Sequence, residues 1–77
     1  MTNNTKNEAA AVITRTTDFW VVTKPTELSM VVDICFETDL AGLQRQFAGG
    51  LDAKDILGIW LDRYAAERAA QRLLEER

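Results

Sequence analysis

The last third of the chain changes phase, and that change limits what it can fold into. The stretch runs Asp55-Ile-Leu-Gly-Ile-Trp-Leu-Asp62 and continues from Arg63 to Arg77. Wound as one helix at about 100° per residue, Ile56, Leu57, Trp60, Leu61 and Tyr64 centre near roughly 60°. Ala66, Ala69, Ala70 and Leu73 centre near roughly 270–290° on the same wheel. One straight helix cannot bury both faces. Gly58 inside the apolar run would also cost a helix about 1 kcal/mol relative to Ala. The pattern therefore predicts a buried strand over Ile56–Leu61, an N-cap at Asp62 and a helix from Arg63. Alanines on the buried stripe allow that helix to approach a sheet closely.

Upstream, Leu28–Glu37 has the strictest pattern in the chain. Leu28, Met30, Val32, Ile34 and Phe36 alternate with Ser29, Val31, Asp33, Cys35 and Glu37. Period-2 alternation over this span predicts one long half-buried strand with the first set as core. Phe19–Lys24, rich in aromatic and β-branched residues, predicts a second strand. Lys24–Glu27, with Pro25 second, suits a β-turn. Ala10–Arg15 reads as a weaker first strand, and Met1–Glu8 as a polar tail. Thr38 or Asp39 can cap a short amphipathic helix bearing Leu40, Leu43 and Phe47. Gly49-Gly50 ends that helix, because glycine takes the left-handed cap without a Cβ clash.

The expected order is β-β-β-α-β-α. This is an α+β two-layer sandwich: a four-stranded, mostly antiparallel sheet with two helices on one face. Residues 9–77 form its single domain, and residues 1–8 the tail. The step Gly58-Ile-Trp-Leu-Asp, followed by Ala-Glu-x-Ala-Ala-x-x-Leu, resembles a strand–helix step of peptidoglycan-binding SPOR domains. The element order departs from that family, and none of its function is carried over.

A chain of 77 residues buries a modest share of its surface, and a partner subunit would add to its core. The net charge of −3 argues against a general nucleic-acid binder, which needs a basic face. Residues 32–62 concentrate the acid: Asp33, Glu37, Asp39, Asp52, Asp55 and Asp62 stand against Arg45 and Lys54. Neither an export signal nor a membrane-length apolar run is present, which predicts a cytoplasmic protein.

The chemistry available is narrow. Histidine is absent, which removes the commonest general base and metal ligand and any Ser-His or Cys-His pair. Cys35 is the single cysteine, so no disulfide closes within the chain. Asp33 sits two residues away and would raise rather than lower a thiol pKa. Asp52, Asp55 and Asp62 match no calcium-loop spacing and suit turns and caps. Arg63, Arg68, Arg72 and Arg77 alternate with Glu67, Glu75 and Glu76, as on a solvated helix face. These features predict no enzyme, no cofactor and no metal site.

The expectation is a protein-binding module, an accessory or inhibitor protein of a phage, plasmid or bacterial system. Its partners would be a second copy of itself, as a homodimer, and a larger host protein. With the helices on one face, the outer sheet face would be the interface, carried by Trp20, Val22, Val31, Asp33 and Cys35. The alternative is a nucleic-acid-associated regulator using the arginine-bearing last helix.

Overall fold

A computed structural model describes residues 13–77; the expected tail and the Ala10–Val12 part of the first strand lie outside them. The described elements are β1 (Phe19–Thr23), α1 (Val31–Ile34), β2 (Cys35–Thr38), α2 (Leu40–Ala48), a 3₁₀ turn (Ala53–Asp55), β3 (Ile56–Trp60) and α3 (Arg63–Glu76). The sheet has three strands in the order β2-β1-β3, and both pairings are antiparallel. Among the described residues the expected four-stranded sheet is not formed. Ile13–Arg15, from the expected first strand, is not a strand.

The largest correction falls on Leu28–Glu37. The expected long strand is instead a turn, a single helical turn and a four-residue strand. Short polar side chains bring this about by bonding locally, in competition with a ladder. Ser29 Oγ accepts from Thr26 N at 2.9 Å, and Ser29 N donates to Thr26 O at 3.3 Å. The turn therefore closes over Thr26–Ser29, two residues later than Pro25 suggested. Asp33 Oδ2 then accepts from Met30 N at 2.8 Å, which secures the first turn of α1. Tertiary geometry agrees with the local chemistry. β1 ends at Thr23, and Cys35 already lies opposite Val22, so residues before Ile34 have no strand to pair with.

The helical turn shifts the phase of the side chains. Leu28, Met30 and Val32, expected in the core, are 91%, 66% and 77% exposed. Val31, Ile34 and Cys35, spaced i, i+3, i+4, turn inward instead. Ile34 is buried as expected. Phe36 is half-buried in the second of the two clusters described next.

The second correction concerns layers. Val22, Ile34, Cys35, Ala66 and Ala70 form one buried cluster, lined by Trp20, Trp60, Leu73 and Leu74. Phe19, Val21 and Leu43 form another, joined by Ile13, Phe36, Leu51 and Ile56. Successive β1 residues point to opposite faces, so α3 covers one face of the sheet and α2 the other. The two helices do not share a face. This explains why β1 is apolar on both sides.

The C-terminal phase break is where the sequence places it. β3 ends at Trp60, and both Asp62 carboxylate oxygens accept from the first turn of α3, from Tyr64 N at 3.3 Å and Ala65 N at 3.2 Å. Asp39 caps α2 through Gly42 N at 2.8 Å. Gly50, with φ 116°, takes the left-handed position after α2 that a Cβ would disfavour. A register shift opposite Val22–Thr23 puts Ile56, rather than Leu57, across from Thr23. A side chain on Gly58 would run into the Trp60 indole, so the bare backbone there is the seat of that ring.

Candidate protein-docking surface

The acidic middle of the chain is largely committed to backbone. Asp33, Asp39 and Asp62 accept from helix-start N–H groups, and Asp52 accepts from Lys54 N at 3.1 Å. Such carboxylates are stabilised by the free donors and partial positive charge of a helix N-terminus. Among the described residues, no three Cys, Asp or Glu side chains are grouped as a metal site. No described helix is long and apolar enough to cross a membrane.

The five residues expected at an interface separate. Val22 and Cys35 are buried beneath α3; the chain's own helix covers them, so they offer no free surface. Trp20 is half-buried on the same side, with the Arg63 guanidinium 5.5 Å from its ring centroid, within cation–π range. Val31 is half-buried at the junction of α1 and α3, and Asp33 is exposed. The Cys35 thiol is pushed above its ordinary pKa first by burial and then by Glu67, with Arg63 opposing. Raised in this way, it is a core filler and a poor nucleophile.

A different surface takes the place of the expected one. Ser29, Met30, Val31, Val32, Leu74 and Arg77 line an open trough of about 480 Å³ between α1 and the end of α3. Val31 and Gln71 also line a neighbouring trough of about 440 Å³ that continues to Tyr64 and Arg68. The two form one groove along the α1–α3 seam. Its lip carries Met30 and Val32, with Leu28 at the preceding turn, and its far end carries Tyr64, itself 66% exposed. Arg77 holds the near wall: its guanidinium donates to Thr26 O at 3.0 Å and Ser29 O at 2.6 Å. Large apolar side chains this exposed, gathered beside a groove, mark an interaction surface.

Of the five residues expected on an outer sheet face only Val31 lines this groove, and the period-2 pattern assigns Leu28, Met30 and Val32 to the core. A second signal was present in the same residues. The i, i+3, i+4 spacing of Val31, Ile34 and Cys35 fits a helical turn, and Ser29 and Asp33 are residues that open turns and cap helices.

The arginines of α3 do not form one basic face. Arg63 is ion-paired to Glu67 at 3.1 Å and lies over Trp20, while Arg77 is bonded to the Thr26–Ser29 turn. At about 100° per residue, Arg68 and Arg72 lie well around the helix from Arg63. No protein-family model matches the chain, and no match is found among curated proteins or among solved structures.

Proposed function

We propose that this chain is a non-enzymatic protein-binding module that docks a partner protein along the α1–α3 groove. The carrying observation is the outward display of Leu28, Met30 and Val32 beside that groove. A partner that covered them would gain apolar burial at about 25 cal/mol per Å². The rim supports a protein partner over other ligands. Glu67, Arg68, Gln71, Glu75 and Arg77 mix both charges with an amide, as in the polar rim around an apolar interface centre. A membrane-seated surface favours Lys and Arg on its polar side, and a small-molecule site favours an enclosed cavity. Here Arg68 and Arg77 are balanced by Glu67 and Glu75, and the groove is open. The dispersal of the α3 arginines lowers the standing of the nucleic-acid reading.

The test pairs the wild-type chain with Met30→Glu and Val32→Glu as affinity baits, with retained proteins identified by mass spectrometry. Both side chains are exposed, so both variants should melt like wild type. A protein retained by wild type and lost from both variants is the expected result. If every retained protein binds all three baits equally, the groove is not the docking site.

A further inference from the structure

The two edges of the sheet are built differently. β2, at one edge, is four residues long, carries exposed Glu37 and is closed by α1 and α2 at its ends. β3, at the other, has no charged residue from Ile56 to Leu61. Its backbone pairs with β1, and among the described residues nothing pairs with its outer edge. Leu57, Ile59 and Leu61 follow at intervals of two, each close to half exposed. An apolar edge with free N–H and C=O groups is a template for another strand, and proteins normally blunt such edges with charge.

We infer that β3 pairs antiparallel with β3 of a second copy of this chain, around a two-fold axis at Ile59, joining two sheets into one of six strands. Symmetry selects this register. An axis perpendicular to the sheet keeps every side chain on its own face, so facing residues must be an even number of positions apart. With the axis at Ile59, Leu57 faces Leu61 of the copy, Ile59 faces itself and Leu61 faces Leu57, so the whole exposed stripe is matched apolar to apolar. The strand ends then agree in charge, because the Asp55 end of each copy meets the Arg63 end of the other. Moving the axis to Gly58 puts Asp55 against Leu61, and moving it to Trp60 puts Leu57 against Arg63. The register shift falls at Leu57 and β3 ends at Trp60, so the regular centre of the pairing is Gly58–Trp60, with Leu57 at a bulge and Leu61 just past the strand end. This surface is separate from the α1–α3 groove and does not depend on it.

At the axis a residue meets its own copy, which gives a direct test. Sedimentation equilibrium of the full chain at micromolar concentration should show a dimer. Ile59→Lys and Ile59→Glu, each setting like charges face to face, should each weaken it by about tenfold or more. Mixing the Ile59→Lys chain with the Ile59→Glu chain should restore association, because opposite charges then meet. Restoration also shows that both variants are folded. A strictly monomeric wild type would overturn the inference, as would a dimer indifferent to both variants. So would two monomeric variants whose mixture stays monomeric. Monomers with slowly exchanging outer-edge β3 amides would mean that another part of the chain covers the edge. Unchanged dimerisation of both Ile59 variants, with loss in Met30→Glu, would move the contact to the groove.

Discussion

Cys35 shows how one residue's chemistry follows from where the fold puts it. On a ten-residue strand it would have faced outward; on β2 it lies against Val22 under the alanines of α3. Burial raises its pKa in the folded state, while the unfolded thiol keeps a value near about 8.5. The sign follows from proton binding. Above the unfolded pKa the unfolded chain loses the proton first, so stability falls as the pH rises. The contribution is fully present below the unfolded thiol pKa and is lost as the pH climbs through the folded one. Melting curves across that window should therefore decline more steeply for wild type than for Cys35→Ala. The native thiol should also react slowly with iodoacetamide and quickly once unfolded; fast native labelling would contradict its burial.

At the scale of the element, α1 is the informative case. It is too short to be stable alone, since the first helical turn costs more than its hydrogen bonds return. Its stability comes from Ile34, packed among Val22, Ala66 and Ala70, and from the Asp33 bond to Met30 N. Val32, two positions before Ile34, contributes little because it faces water. Ile34→Ala should cost about 2–5 kcal/mol, and Val32→Ala less than about 0.5 kcal/mol, by denaturant unfolding. Equal losses at the two positions would restore the period-2 strand and remove α1.

The described residues form a thin sheet covered on both sides by helices from its own sequence, and the end of α3 is tied back to the loop between β1 and α1. Arg77 bonds carbonyls 51 and 48 residues away, so the end of α3 and the wall of the groove form one unit. Hydrogen bonds to charged groups contribute about 1.5–3 kcal/mol, and solvent weakens exposed ones. Of these two, the bond to Thr26 O is exposed and the bond to Ser29 O part-buried, and their effect on global stability should be smaller. The loss in Arg77→Ala should appear locally, as faster hydrogen exchange at Ser29 and Asp33 with little change in melting. Since Met30 and Val32 lie on the same wall, the variant should also bind the groove's partner more weakly. Unchanged exchange at these amides would detach the C-terminus from the groove.

What the sequence determined by itself was local: β1, the break at Asp62, a cap at Thr38 or Asp39, the Gly49-Gly50 stop, and the apolar stripe of α3. Each rests on chemistry between residues a few positions apart, such as a carboxylate and the next free N–H, or a glycine and a positive φ. The tertiary structure decided what required a partner from elsewhere in the chain. Leu28–Glu37 alternates like a strand, but a strand needs a neighbour of equal length, and the pairing with β1 stops at Cys35, one residue short of the end of β1. Likewise, the apolar character of both faces of β1 showed that both must be covered, without showing by what. Only the path of the chain put α2 on one face and α3 on the other. Amphipathicity specifies which side of a helix is buried, and the sheet face it meets is chosen by the connections.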